Sequence, residues 1–305
     1  MLSLRHNSSF VILLTLLNVL AVRAASQETG VPLYRVSSSE VRVTFFATDS
    51  AGHPIDAITR DDFAIVDGGT IIRDFRSLAR SEKTAVDAVI LIDSSQSVSA
   101  SLRSTASDVL QALSHDRAGM GDSISIISFS GLQAVALCVR DCRGQVAAQK
   151  LLSVKASGAT PLFDAIAYSA NMLWQWRASG ARPVVILFSD GNDTISRISG
   201  SEALQSLVES GAQLYAIDVN DAPRSQGSAV LQQLAEVTGG QYFSPQQRKG
   251  ALLNSVLEDL RDSWVVTYEL PDRTWGFHSL RMLPKRNSKL QFHCRGGYYY
   301  GTSVR

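Results

Sequence analysis

Ten consecutive residues, Ala88-Val-Ile-Leu-Ile-Asp-Ser-Ser-Gln-Ser97, take the chain from an unbroken apolar run into a polar loop. Such a run without alternation is typical of a strand buried on both faces, as in a parallel sheet covered by helices. Three further runs have this character, at residues 124–129, 184–188 and 214–219. Together they predict the central strands of one sheet.

Stretches with helical spacing of apolar residues lie between and after these runs. They cover residues 102–113, 145–152, 162–176, 201–209, 229–237 and 251–260. The repeated alternation of strand and helix over 85–262 predicts an α/β domain with a doubly wound, mostly parallel sheet flanked by helices, of the Rossmann-like type. Ligands of such sheets gather at the carboxyl ends of the strands.

The composition is that of a globular protein. The chain has 305 residues, 45% of them apolar and 19% charged, with 29 Lys and Arg against 28 Asp and Glu. A nucleic-acid-binding protein needs a basic surface to displace counterions from phosphate, so the near-zero net charge argues against that class. Disordered and disulfide-stapled miniature proteins are excluded by the same figures.

The first 24 residues predict a cleaved signal peptide. An apolar run at 10–22 is followed by Val22-Arg23-Ala24, which offers small residues for a signal peptidase. The run is shorter than the roughly 20 residues that a membrane-spanning helix needs. We expect a secreted or periplasmic protein with no stable membrane span after cleavage; an uncleaved N-terminal anchor is the alternative.

The two flanks of the α/β region predict short strands with turn residues between them. Neither the segment 28–84 nor the segment 263–305 is long enough for a comfortable core of its own. We therefore expect the two to pack together as one small β domain into which 85–262 is inserted. Two independent hairpins beside the sheet are the alternative.

The three cysteines leave two interpretations open. In an oxidising compartment Cys138 and Cys142 could form a disulfide and leave Cys294 unpaired, or all three could be buried thiols. No histidine stands at metal-ligand spacing from the cysteines, which argues against a zinc site.

Candidate site residues follow the predicted strands. Asp93, Ser95 and Ser97 come directly after the first apolar run, Asp190 ends the run that begins at 184, and Thr160 precedes a strong helix. Carboxylate and hydroxyl oxygens suit a hard divalent cation such as Mg²⁺. Because all five residues fall at the same end of the predicted sheet, they predict a cation site there.

Each of these residues also has a purely structural explanation. Ser97 could cap a following helix, and Thr160 could be the N-cap before a proline at the first helical turn. Asp190 and Gly191 form a common turn pair.

Three of these stretches resemble a known motif set. They are Asp93-x-Ser95-x-Ser97, the Gly-Ala-Thr160-Pro segment and Asp190-Gly-Asn-Asp-Thr, in that order. They resemble the three parts of the metal-ion-dependent adhesion site (MIDAS) of von Willebrand factor type A (VWFA) domains, over residues 85–262. The leading Ile58-Thr-Arg-Asp-Asp-Phe and the late Gly296-Gly-Tyr-Tyr are similar to the VWFA-related Acidobacterial domain proteins.

The resemblance implies a role for each residue. Ser95 and Ser97 would bind Mg²⁺ (or Mn²⁺ or Ca²⁺) directly, Thr160 would join when a ligand is engaged, and Asp93 and Asp190 would act mainly through water. The open coordination position would take an Asp or Glu of a protein partner. In relatives that switch, such capture is coupled to the last helix, here 251–260.

These features predict an exported, non-enzymatic module for metal-dependent protein binding or cell adhesion. One alternative is a metal-assisted hydrolase of phosphate esters, although Ser95 stands where aspartyl-phosphate enzymes of this type carry a second Asp. The other is a structural scaffold whose site stays empty. Asp218 and Asp221 could approach the cation and compete with a partner.

Overall fold

The computed structural model describes residues 40–50, 53–81, 84–114, 122–142, 144–177, 180–220, 225–244 and 252–301. The predicted signal peptide and Asp221 lie outside these residues. The strands are β1 (Glu40–Thr48), β2 (Phe63–Asp67), β3 (Thr70–Ile72), β4 (Ser77–Arg80), β5 (Val86–Asp93), β6 (Ser123–Ser130), β7 (Gln133–Cys138), β8 (Arg182–Ser189), β9 (Gln213–Asp218), β10 (Tyr242–Phe243), β11 (Trp264–Glu269), β12 (Gly276–Pro284), β13 (Gln291–Cys294) and β14 (Gly297–Tyr300).

The helices lie between these strands. They are α1 (Leu102–Ser114), α2 (Gln145–Ser153), α3 (Leu162–Trp176), α4 (Gly200–Ser210), α5 (Gln226–Thr238) and α6 (Leu252–Asp262), with a short 3-10 helix at Gln96–Val98. Among the described residues, no helix combines the length and apolar character needed to cross a bilayer.

A six-stranded sheet with the order β10-β9-β8-β5-β6-β7 carries the α/β part of the chain. Its strand pairs are parallel except for β6 and β7, which are antiparallel. The predicted doubly wound, mostly parallel sheet is therefore confirmed. The central strand β5 is buried almost throughout, which explains why its apolar run does not alternate.

Helices cover both faces of this sheet because alternate residues of β5 pack in opposite directions. Val89 and Leu91 belong to one apolar core, and Ile90 and Ile92 belong to the other. The first core includes Ile166 of α3, Leu207 of α4 and Leu231 of α5, whereas the second includes Val109 of α1, Leu151 of α2 and Val256 of α6.

Strands from both ends of the chain pair with each other in two four-stranded sheets. One has the order β13-β1-β11-β4 and the other has the order β14-β12-β2-β3. They share a third apolar core, in which the Phe63 ring lies 5.2 Å from Phe45, 4.9 Å from Phe75 and 5.6 Å from Phe292, centroid to centroid. The division of the chain into domains at 28–84, 85–262 and 263–305 stays a prediction.

Four strands have no counterpart in the sequence prediction: β4, β7, β10 and β14. The strand β7 is an edge strand with mostly exposed or half-buried side chains, and β10 has two residues. A two-residue strand is too short for periodicity to detect, whereas the apolar run at 134–138 in β7 was a signal that the prediction did not use.

Arg182, the first residue of β8, joins the α/β part to the flanking strands. Its guanidinium donates hydrogen bonds to acceptors from three parts of the chain: Ser81 Oγ, Gln213 Oε1 and Tyr215 Oη of β9, and the Leu260 carbonyl and Ser263 Oγ at the end of α6. Burial lowers the pKa of Arg182, but all five acceptors satisfy the charged form by hydrogen bonding.

We expect Arg182→Leu to reduce the free energy of unfolding by about 3 kcal/mol, because buried acceptors lose their donor. Urea denaturation followed by circular dichroism measures this loss. The matched control is Arg281→Leu, at an exposed position of β12, which should change the value by less than about 0.5 kcal/mol. Equal losses in the two variants would contradict the role of Arg182 as a junction.

Candidate functional site

Asp93 is the last residue of β5, and its carboxylate is almost completely buried, at 2% exposure. One oxygen accepts a hydrogen bond from the Ser95 backbone N–H at 2.9 Å, and the other accepts from Ser189 Oγ at 2.7 Å. Because Ser189 ends the neighbouring strand β8, the carboxylate is held between two strand ends.

The loop after Asp93 is fixed to the end of β6. Ser94 Oγ lies 2.8 Å from Ser128 Oγ, and the Ser94 backbone N–H donates to the Phe129 carbonyl at 3.0 Å. These bonds orient the next two hydroxyls: Ser95 Oγ and Ser97 Oγ are 3.1 Å apart. Ser95 is buried and Ser97 is exposed, so this pair of hydroxyls reaches the surface.

A second loop, residues 157–160, hydrogen-bonds to the first. The Ser157 N–H donates to the Ser94 carbonyl at 2.9 Å, and the Gln96 N–H donates to the Gly158 carbonyl at 3.0 Å. Gly158 has a φ of +70°, a left-handed conformation that favours glycine. The structure thereby brings Thr160 to the same edge of the sheet as Asp93.

A third loop, which follows β8, is fixed to Thr160. The Thr160 backbone N–H donates to Thr194 Oγ1 at 2.7 Å, and the Thr160 carbonyl accepts from the Thr194 N–H at 2.9 Å. The same loop caps α3, since Asp193 accepts from the Phe163 N–H. Thr160 is therefore not the N-cap of α3, which begins after Pro161. The Thr160 hydroxyl makes no hydrogen bond to the described residues and is available to a ligand.

Asp190 stands at the start of this third loop and is 5% exposed. One of its oxygens accepts from the Asn192 N–H at 3.0 Å. The backbone around it packs closely on the first turn of α5: a Cβ on Gly227 would lie 2.1 Å from the Asp190 carbonyl oxygen, and one on Gly191 would lie 2.1 Å from the Gly227 carbonyl oxygen. The position of Asp190 thus depends on two glycines.

The electrostatics of these loops are dominated by two nearby buried carboxylates. Burial raises the pKa of Asp93, hydrogen bonds from Ser189 and Ser95 lower it, and the charge of Asp190 raises it further. Among the described residues, no Lys, Arg or His forms an ion pair with Asp93 or Asp190. The site therefore carries negative charge that this part of the protein does not compensate.

The family comparison covers the candidate residues of all three loops. Residues 88–192 match the family model described as the von Willebrand factor type A domain. The matched part of the chain, which contains all five candidate site residues, is thus similar to von Willebrand factor type A domains. No curated protein sequence matches the chain. The finer similarity to the Acidobacterial group stays a prediction.

Several solved structures are similar to this chain. An aerotolerance-related membrane protein from Bacteroides fragilis NCTC 9343, carrying multiple mutations to serine, is 20% identical over 57% of this chain and 100% of its own, with a TM-score of 0.43. A von Willebrand factor type A protein from Catenulispora acidiphila is 11% identical, with coverages of 88% and 76% and a TM-score of 0.46. The ArnB paralog VWA2 from Sulfolobus acidocaldarius is 18% identical, with coverages of 87% and 76% and a TM-score of 0.44.

Asp218, the last residue of β9, has a structural role. Asp218 is fully buried, and one of its oxygens accepts from Ser228 Oγ at 2.5 Å and from the Tyr242 hydroxyl at 2.8 Å. Its other oxygen accepts from the Asn220 N–H at 2.8 Å. Its carboxylate oxygens are therefore engaged in fixing α5 and β10 to the end of β9.

Two further features lie away from the polar loops. Cys138 and Cys142 are joined by a disulfide, and Cys294 is free. The Arg177 guanidinium lies 4.0 Å from the Trp174 ring, and the Arg140 guanidinium lies 4.9 Å from the Trp176 ring. Both tryptophans are therefore explained as packing residues that contact arginine side chains.

Sequence reasoning missed several residues that hold the site together. Ser189 orients Asp93, Ser128 orients Ser94, and Thr194 orients Thr160. Ser189 could have been found from the sequence, because it immediately precedes Asp190 at the end of an apolar run.

We expect Gly227→Ala to destabilise the domain by about 2 kcal/mol, because the new methyl group would overlap the Asp190 carbonyl. Thermal or urea denaturation measures the loss. Gly144→Ala is the matched control: it also lies at a helix start, but its Cβ would meet nothing within 4 Å. Similar stability of the two variants would show that the close approach of α5 to Asp190 does not constrain the loop.

Proposed function

We propose that this protein is an exported interaction module that binds a divalent cation at Asp93, Ser95, Ser97, Thr160 and Asp190 and uses it to capture an acidic side chain of a protein partner. Von Willebrand factor type A domains generally mediate protein interactions. The observation that carries the proposal is the pair of buried carboxylates, which form no ion pair with a basic side chain of the described residues, beside three hydroxyls on adjoining loops.

The donor set fits a hard cation. It consists of carboxylate and hydroxyl oxygens, which Mg²⁺ prefers over softer ligands, and Mn²⁺ and Ca²⁺ are accepted by similar sets. Among the described residues, no group of three or more His, Cys, Asp and Glu could hold a metal ion. A cation at these loops would therefore depend on the serine and threonine hydroxyls, which leave it strongly electropositive.

Capture of an acid follows from that charge. A divalent ion with only two carboxylates nearby retains attraction for a third, and a charge-assisted contact at a partly desolvated rim is stronger than one in open water. Ser97 is the exposed member of the set and marks the side from which a partner's Asp or Glu would approach. The bound cation would supply the attraction, and the loops would supply its position.

Enzymatic activity has less support. Domains of this family are typically non-enzymatic interaction modules. Asp93 is held by Ser95 and Ser189 on both oxygens, which leaves it poorly placed as a nucleophile or a general base. The apolar run at 10–22 supports a secreted or periplasmic location for the module.

Thermal unfolding with and without Mg²⁺ tests the cation site. At a Mg²⁺ concentration about ten times the Kd, we expect the Tm of the wild type to rise by roughly 3–6 °C over its value in EDTA. Ser97→Ala should lose most of this shift because it removes a proposed ligand oxygen. Ser99→Ala, an exposed serine of the same turn, should keep it.

Identical melting curves in Mg²⁺ and EDTA would contradict the proposal and favour a structural scaffold. A pull-down from envelope extracts with and without EDTA then tests the partner: retained proteins should be lost with EDTA and with Ser97→Ala. Turnover of a phosphoester panel that depends on Asp93 would favour the hydrolase alternative instead.

A further inference from the structure

A cavity of about 220 Å³ lies at the opposite edge of the six-stranded sheet from the polar loops. Its lining includes Asp87, Arg182 and Gln213, which stand at or next to the first residues of β5, β8 and β9. The flanking strands close it from the other side through Arg42 of β1, Val265 of β11 and Arg295. Its volume is several times the ~30 Å³ that one water molecule occupies in the liquid, so a small polyatomic ion fits.

The lining is rich in arginine. Arg42, Arg177, Arg182 and Arg295 all contribute to it, and Asp87 is its one acidic member. Asp87 already pairs with a fifth arginine outside the cavity, since Arg140 Nη2 lies 3.3 Å from its carboxylate. Among the described lining residues, four arginines therefore stand against one acidic residue.

None of the four lining arginines forms an ion pair with a carboxylate of the described residues. Arg182 bonds to neutral acceptors, and Arg177 donates to the Trp174 carbonyl. Arg42 makes no side-chain hydrogen bond to the described residues. Like charges gathered at one partly closed site repel each other unless an anion joins them.

Arg295 is the lining arginine that has a buried N–H group without a hydrogen-bond acceptor among the described residues. Its Nη2 donates to the Arg42 carbonyl at 2.9 Å, but its Nε is inaccessible to solvent and has no hydrogen-bond partner in the part of the chain that the structure describes. Burial lowers the pKa of this guanidinium. A buried N–H donor without an acceptor is costly, so the described residues do not use the full hydrogen-bonding capacity of Arg295.

The geometry points to a binding site for a phosphate-type oxyanion in this cavity, held by Arg42, Arg177 and Arg295. Guanidinium groups present several donors in a planar array that matches the oxygens of phosphate. The site does not depend on the proposed cation site, because the two lie at opposite ends of the parallel strands.

Thermal unfolding in inorganic phosphate tests this inference, with EDTA present and sodium chloride at matched ionic strength as reference. At about ten times the Kd, phosphate should raise the Tm of the full chain by roughly 3–6 °C. Phosphate also stabilises folded proteins non-specifically because it is excluded from their surface, and a low millimolar concentration keeps this effect small. Isothermal titration calorimetry with the same ion measures the binding directly.

The double variant Arg42→Gln and Arg177→Gln changes two exposed arginines and should fold. It should lose at least ten-fold in phosphate affinity and most of the Tm shift. The matched control, Arg273→Gln with Arg281→Gln, removes the same charge from exposed positions that do not line the cavity. Ser97→Ala should keep the phosphate shift, which separates this site from the cation site.

Three outcomes would overturn the inference. One is the absence of any phosphate-dependent shift or heat in the wild type. Another is an equal loss of affinity in the double variant and its control, which would mean general charge attraction. The third is an equal shift with acetate at the same ionic strength, which would mean that no oxyanion with several charges is recognised.

Discussion

The buried carboxylate of Asp93 is the constraint on which the polar edge of this domain depends. It ends the central strand, accepts from Ser95 and Ser189, and lies close enough to Asp190 for the charge of one to affect the other. Such a group is tolerated where hydrogen bonds and an opposite charge compensate its loss of hydration. The protein supplies the hydrogen bonds from its own strand ends, and the proposed cation supplies the charge.

The same parallel sheet separates charge of opposite sign at its two ends. Among the described residues, the carboxylates at the carboxyl edge form no ion pair with a basic side chain, and the arginines that line the cavity at the amino edge form none with a carboxylate. The strands β5 and β8 begin at the cavity and end at the polar loops, so both sites are anchored to deeply buried elements of the fold. Ligands at such sites meet groups that are already fixed in position, which reduces the entropy cost of binding.

The sequence predicted the elements whose signal is local. The runs in β5, β6, β8 and β9 are continuous because both faces of these strands are buried, and the five site candidates each follow or precede a regular element. The sequence could not predict contacts between residues that are far apart in the chain. Ser189 meets Asp93 across 96 positions of the chain, and Asp218 is held by Ser228 and Tyr242 rather than exposed at the rim. The roles of Arg182 and Arg295 likewise appear only when the flanking strands close over the sheet.

The most direct measurement is a crystal structure of the protein grown with Mn²⁺, with anomalous diffraction recorded at the manganese edge. The account predicts one strong anomalous peak within coordination distance of the Ser95 and Ser97 hydroxyls, beside Asp93 and Asp190. A well-ordered set of these loops with no anomalous peak at saturating Mn²⁺ would contradict it.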